Sequence, residues 1–199
     1  MNPNKQQSMM DKFTELRSTL KDPATGAFPP VISVVSAARG EGKTTVAANL
    51  AKSLARQGQR VAIVELNFRS PGMSAFFARP SSAGLSDVLH GKAEIKDVLL
   101  EIDGIHVVFN GASSEMDVLD LLESSRMRDL LQLLSKEYTV VILDTPALGD
   151  FRDGIIASQY ADFVLYVLAS GTASRTRIKE CLNQLGPRRI GVVFNRDRG

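Results

Sequence analysis

Apolar residues in this chain fall into short runs separated by stretches of helical period. Val31 to Val35 is a run of β-branched residues broken only by Ser33, and Val61 to Val64, Ile105 to Phe109, Val140 to Leu143, Phe163 to Leu168 and Ile190 to Phe194 are similar. These runs are apolar nearly throughout rather than alternating, as strands are when helices cover both faces of a parallel sheet. Between them, Thr44 to Gln57 places Val46, Ala47, Leu50, Ala51 and Leu54 on one face with Lys52 and Arg56 opposite. Asp117 to Lys136 and Ala173 to Leu185 have comparable periodicity. The alternation predicts an α/β fold with a doubly wound, mostly parallel sheet flanked by helices. Ligands of such sheets sit beyond the carboxyl ends of the strands. Candidate chemistry is therefore expected just after Val35, Val64, Leu143 and Phe194.

Residues 1–30 read as an arm: a mobile first dozen residues, a short helix over Asp11 to Leu20, and a linker over Lys21 to Pro30 that holds three prolines and a glycine. Residues 31–199 read as one nucleotide-binding domain, an ordinary size for a single core at 44% hydrophobic residues. A net charge of +2 gives no reason to expect nucleic acid as a partner. The single cysteine excludes an internal disulfide. Met1 to Lys12 lacks an apolar signal core, and no apolar run approaches the roughly 20 residues that cross a bilayer. The expectation is a cytoplasmic chain without direct membrane insertion.

The strongest local signal follows the first strand. Ser36-Ala37-Ala38-Arg39-Gly40-Glu41-Gly42-Lys43-Thr44-Thr45 stands between a strand and a helix, the context that makes a phosphate-binding P-loop credible. Glycines at 40 and 42 let backbone N–H groups curl around phosphate oxygens. Lys43 is placed to reach the β- and γ-phosphates and Thr44 to offer its hydroxyl to magnesium, with the phosphates on the positive end of the next helix. Arg39, Gly40, Glu41, Gly42, Lys43, Thr44 and Thr45 are thus the nucleotide-binding candidates. Ala37 stands where the pattern usually begins with glycine. Val140 to Pro146 is an apolar strand ending in Asp144, a carboxylate placed to hold magnesium, together with Thr44. ATP or ADP with Mg is the cofactor expectation.

Taken together these residues resemble the bacterial tyrosine kinases of capsule and exopolysaccharide synthesis, within the ParA/MinD-type deviant Walker ATPases. The resemblance runs from about Asp11 to Arg196. It is carried by Ser36 to Thr45, by Val61 to Pro71 (VAIVELNFRSP), by Gly84 to Gly91 (GLSDVLHG), by Tyr138 to Pro146 (YTVVILDTP), and by Gly191 to Arg196 with Asn195 on the nucleotide side. Arg39 replaces the family's proline, and Ala38 stands where the ParA/MinD branch carries its lysine. The resemblance implies ATP-dependent phosphoryl transfer to tyrosine, a membrane-spanning polysaccharide co-polymerase as partner, and a location at the inner face of the membrane through that partner.

Three departures qualify what the resemblance implies. The second motif's two aspartates are Glu65 and Asn67 here. Glutamate moves the carboxylate by about 1.5 Å, a shift that can cost ~10²-fold in rate. Asparagine cannot act as a base and offers a metal only a neutral oxygen. With Lys43 stabilising charge, Glu65 taking the base role and Asn67 as a third metal candidate beside Thr44 and Asp144, weaker magnesium coordination and slower chemistry are expected while nucleotide binding survives. The family's tyrosine cluster lies on a C-terminal tail, and the sequence stops at Gly199 directly after the last strand, so either the chain is cut short or this member has no tail; Tyr138, Tyr160 and Tyr166 read as core or flanking residues. The family's E-x-x-R-x-x-R ring motif reads Asp11, Thr14 and Arg17, so weaker self-association is expected rather than a full ring.

His90 reads as a helix-end residue, His106 as a strand residue, Cys181 as a small apolar residue, and Arg188, Arg189, Arg196 and Arg198 as a solvated basic face. Asp150 and Asp153 follow the third motif, and Asp153 matches an aspartate common in the family. Two functional classes follow: an ATPase or protein-tyrosine kinase, or a nucleotide-sensing regulatory partner of the co-polymerase with slow or absent chemistry. A ParA/MinD-like positioning ATPase is the third reading, disfavoured by Ala38.

Overall fold

The computed structural model describes residues 3–79, 82–111 and 118–195, with side chains described from Gln7 onward. Within them a seven-stranded sheet runs in the order β3-β4-β2-β5-β1-β6-β7. The strands are β1 Val31–Ser36, β2 Val61–Glu65, β3 Leu99–Ile102, β4 Ile105–Val108, β5 Val140–Asp144, β6 Phe163–Ala169 and β7 Ile190–Asn195. All pairings are parallel except β3 with β4. Helices α1 Pro3–Leu20, α2 Lys43–Ala55 and α3 Met73–Phe77 precede α4 Leu85–His90 and α5 Ile95–Val98. After β4 come α6 Val118–Glu123, α7 Ser125–Glu137, α8 Asp153–Ser158 and α9 Arg175–Leu185.

Alternate residues of each central strand enter opposite faces, and both faces are apolar. Ile32, Val34, Ile63, Val107, Ile142 and Leu165 pack under α1 and α2, while Ala62, Val64, Val108, Val141 and Leu143 pack under α4, α6, α7 and α8. A third cluster places Val35, Val164 and Tyr166 against Cys181 and Leu185 of α9. This two-sided burial is why the strands read as continuous apolar runs. The predicted face of α2 is the buried one: Val46, Ala47, Leu50, Ala51 and Leu54 lie in the core.

Four local differences from the sequence reading have physical causes. The first helix starts at Pro3 rather than at Asp11, with the proline at the first helical position, where a missing N–H is harmless. Leu20 is buried, and Phe13 and Leu16 pack on the same cluster as α2. The long helix expected up to Lys136 is two helices, because Ser124 accepts the N–H of Met127 at 3.2 Å and caps a new start; its expected first residue, Asp117, lies outside the described residues. Strand β3 was not foreseen. It joins β4 through Asp103 and Gly104, both at positive φ (52° and 78°), an Asp-Gly two-residue hairpin turn whose sequence signal was present. Finally, Arg17 does not project outward for a subunit contact: it is 7% exposed and donates to the Ser53 carbonyl at 2.6 Å and hydroxyl at 3.1 Å, pinning α1 to α2.

The GLSDVL stretch has a structural reason. Leu85 and Ser86 donate their N–H groups to Phe109 and Asn110 carbonyls at 2.8 and 3.0 Å, which brings the α4 start onto the end of β4. A Cβ at Gly84 would sit 2.3 Å from the Gly111 nitrogen and 2.4 Å from the Phe109 oxygen, both backbone atoms that cannot swing aside. Gly84→Ala is therefore expected to destabilise the chain by about 1–3 kcal/mol through overpacking. A urea midpoint equal to that of the unaltered chain would refute this close approach.

Candidate functional site: a phosphate loop facing two buried carboxylates

Four strand ends meet at the phosphate loop. β1 leads into Ala37–Gly42, and the positive φ of Gly40 and Gly42 (77° and 95°) turns the chain into α2. A Cβ at Gly42 would meet the Asn195 side-chain nitrogen at 2.0 Å, so the end of β7 closes directly on the loop. Strands β2 and β5 end in register, with Glu65 paired to Asp144. The loop, Asn67, Pro146 and Phe151 line a cavity of about 180 Å³. A separate, wider groove of about 820 Å³ runs past Thr45 and Asn195 between α1 and β7.

Lys43 is 7% exposed and its ammonium donates to the Ser36 hydroxyl at 2.9 Å. Burial pulls its pKa down, and the nearby charges of Asp144 and Glu41 oppose that pull. The Thr44 hydroxyl donates to Asp144 Oδ2 at 2.7 Å. Asp144 is wholly buried, and its other oxygen, Oδ1, has no hydrogen-bond partner. Burial pushes its carboxyl up to about 7, the Glu65 charge adds to the rise, and Thr44 and Lys43 oppose it.

That orphaned carboxylate oxygen beside a threonine hydroxyl is the observation that fits magnesium. Both are hard oxygen donors, and magnesium uses one or two protein oxygens with phosphate and water completing its shell. No group of three or more His, Cys, Asp or Glu able to hold a metal occurs among the described residues, so an all-protein cage is not what the site offers.

The other two acidic-motif positions are engaged differently from the sequence expectation. Glu65 Oε1 accepts the N–H groups of Gly72 and Met73 at 2.7 and 2.8 Å, and Oε2 accepts that of Asn110 at 3.3 Å. The side chain expected as a base thus caps the start of α3, with burial raising its pKa against those three donors. Asn67, expected at the metal, lines the cavity, but its amide donates to the Ser70 carbonyl at 2.6 Å and its oxygen accepts the Ser70 N–H at 3.3 Å. Glu41 points away from the cavity and is fully buried. Arg39 lies at the cavity rim, paired to Asp150 at 3.2 Å and over the Phe151 ring. Asn195 donates to the Glu41 carbonyl at 2.8 Å.

Several site residues had only a faint signal in the sequence. Arg69 donates to both oxygens of buried Asp153, at 2.5 and 3.3 Å, and stacks 4.2 Å from the Phe151 ring centroid. This ties the loop after β2 to the start of α8. Arg69 sits inside the second motif and Asp153 was noted, but no spacing rule pairs residues so far apart. Arg177 links Asp150 (2.6 Å) to the Ala37 carbonyl (3.3 Å). Tyr138 and Tyr166 are buried, and the Tyr160 hydroxyl donates to the Leu122 carbonyl, as core and flanking residues should. Cys181 is buried, and His90 rests a ring nitrogen on the Ser86 carbonyl at 2.6 Å. Arg188 donates to the Leu185 and Ser158 carbonyls and Arg189 pairs with Asp22; Arg196 and Arg198 lie outside the described residues.

The fold and this site define a P-loop nucleotide-binding protein. Comparison with known proteins narrows that class. Residues 30–186 match the AAA domain family. The tyrosine-protein kinase CpsD of Streptococcus pneumoniae is 35% identical over 172 residues, covering 83% of this chain and 75% of that protein. The crystal structure of the chimerical protein CapA2B2 is similar with a TM-score of 0.86 and 29% identity, over 94% of this chain and 84% of the other. The cell division ATPase MinD of Pyrococcus furiosus is similar with a TM-score of 0.71 and 26% identity, over 84% and 72%. The chain belongs to the bacterial tyrosine kinase family of P-loop domains, whose fold extends to the MinD-type ATPases.

The Asp144 pKa, raised from 3.8 to about 7, makes a stability prediction for the nucleotide- and metal-free chain. A carboxyl whose folded pKa lies above its unfolded value contributes stability that is fully present below the unfolded value and lost as pH rises through the folded one. Asp144→Asn keeps the shape and removes the titration. Relative to the unaltered chain, the variant's melting temperature should rise as the pH increases from about 4 to about 7 and level off above that. A difference that does not change with pH would contradict the buried, unpaired carboxylate.

Proposed function

We propose that this domain binds ATP or ADP with magnesium, and that it works in polysaccharide synthesis or export alongside a membrane-spanning co-polymerase. The observation that carries the nucleotide reading is the buried Asp144 carboxylate. It is bonded to Thr44, carries one unpartnered oxygen, and lies in the field of Lys43. In this reading Lys43 leaves Ser36 to meet the β- and γ-phosphates, and the loop N–H groups and Thr45 hold the phosphate chain at the start of α2. Thr44 and Asp144 hold magnesium, which neutralises phosphate charge when bound. The nucleoside extends toward Asn195 and the wider groove. The partner and the inner-membrane location rest on the family; among the described residues no helix is long and apolar enough to cross a membrane.

Two readings of the chemistry remain, and the geometry favours one. A kinase or ATPase needs a base that reaches its acceptor. The Glu65 carboxylate accepts three backbone N–H groups, and both polar atoms of the Asn67 amide are held by Ser70. These contacts support a nucleotide-sensing module with slow phosphoryl transfer, whose nucleotide state sets its association with the partner.

Nucleotide binding and turnover, measured together with and without magnesium, test this. The unaltered chain should bind ADP more tightly with magnesium and turn over ATP slowly. Lys43→Ala should weaken nucleotide binding at least tenfold by removing a charge-assisted contact. Asn67→Asp, which restores a carboxylate near the metal, should raise turnover. Binding indifferent to Lys43→Ala would sink the phosphate-loop reading, and fast turnover by the unaltered chain would replace the sensing module with an enzyme.

A further inference from the structure

Glu41 lies between the two glycines of the phosphate loop, and its carboxylate is completely buried. A negative charge in that place opposes the binding of polyphosphate, and burial of an ion is unfavourable unless every oxygen is partnered. Both oxygens are. Oε2 accepts the Ala38 N–H at 2.8 Å, across the curl of the loop itself. Oε1 accepts the Thr172 hydroxyl at 2.6 Å, from the turn between β6 and α9, and the N–H of Ala169, the last residue of β6, at 3.4 Å. The Thr172 hydroxyl also lies 2.8 Å from the Ala169 carbonyl, but a carboxylate is the stronger acceptor for its single proton.

Two further contacts run the same way. Asn195 at the end of β7 donates to the Glu41 carbonyl, and Arg177 of α9 donates to the Ala37 carbonyl. The phosphate loop is therefore fastened on one side to β6, α9 and β7. None of these contacts belongs to the P-loop pattern, which asks only for glycines, Lys43 and Thr44.

We infer that Glu41 is a positioning residue that fixes the curl of the phosphate loop before nucleotide arrives and couples it to the β6–α9 turn through Thr172. A loop with glycines at two positive-φ positions has much backbone freedom to lose on binding phosphate. Holding it already curled removes that loss from the binding step, which is preorganisation. The same carboxylate gives the turn 169–174 and helix α9 a direct mechanical route to the nucleotide site. The nucleotide part of this inference rests on the function proposed above; the clamp itself rests on geometry alone.

The test uses two readouts on the full chain: amide hydrogen exchange at Ala38 and Ala169 without nucleotide, and ADP affinity with magnesium by calorimetry. Glu41→Gln places an NH₂ against one of the two donor sets. It should speed exchange at Ala38 or Ala169 by about tenfold, the worth of one such hydrogen bond, and weaken ADP binding by a similar factor. Thr172→Val should act in the same direction more weakly, and Thr172→Ser, which keeps the hydroxyl, should restore both readouts. A role in bulk stability alone would lower the melting temperature without this valine–serine difference. Unchanged exchange and ADP affinity in both Glu41→Gln and Thr172→Val would overturn the inference. Should Glu41→Gln fail to fold, the Thr172 pair decides. If the unaltered chain bound no ADP, the nucleotide reading would fall and the exchange data would still decide the clamp.

Discussion

Asp144 ends a central strand with its carboxylate removed from water, and much of the site is arranged around that cost. Parallel strands β1, β2 and β5 deliver their carboxyl ends to one place, so Thr44, Glu65 and Asp144 meet there whether or not charge favours it. Two neighbouring carboxylates in one buried register would repel each other. The structure separates their environments: Glu65 is satisfied by three backbone N–H groups, whereas Asp144 keeps one oxygen free and has only Thr44 and the field of Lys43. One carboxylate has become part of the scaffold, and the other keeps the unpartnered oxygen on which the proposed magnesium site rests.

The rest of the site follows from the loops that leave these strands. Arg69 and Asp153 join the loop after β2 to the start of α8, and the guanidinium groups of Arg69 and Arg39 both lie over the Phe151 ring. Asp150 receives both Arg39 and Arg177, so the same short segment also reaches α9. The pairs at the rim are partly exposed and individually weak. Their consequence is geometric: they fix where the two loops stand relative to the phosphate loop.

Much of this was legible in the sequence because the fold is two-sided. Apolar runs located six of the seven strands, and the P-loop and third motif put Lys43, Thr44 and Asp144 at strand ends that the sheet brings together. The half-exposed edge strand β3 has no such run and is marked only by Asp103-Gly104. The helical period of residues 117–136 ran through a cap at Ser124, because a serine on a polar face does not interrupt an apolar stripe. Side-chain direction was beyond reach. Motif matching put Glu41 with the nucleotide and Glu65 with the base, but each turns toward backbone donors supplied by residues distant in sequence, such as Ala169 or Asn110. The resemblance located the positions; the packing decided what each side chain touches.

The account stands on Asp144 as the metal-holding carboxylate of a nucleotide site. Electron paramagnetic resonance of Mn²⁺ titrated into the chain with ADP at pH 8 addresses this directly, since manganese takes the same hard oxygen donors. The prediction is one Mn²⁺ bound per chain in the presence of ADP, lost in Asp144→Asn and retained in Asn67→Ala, whose amide is held by Ser70. Mn²⁺ bound equally well by Asp144→Asn would contradict the account and move the metal to another place.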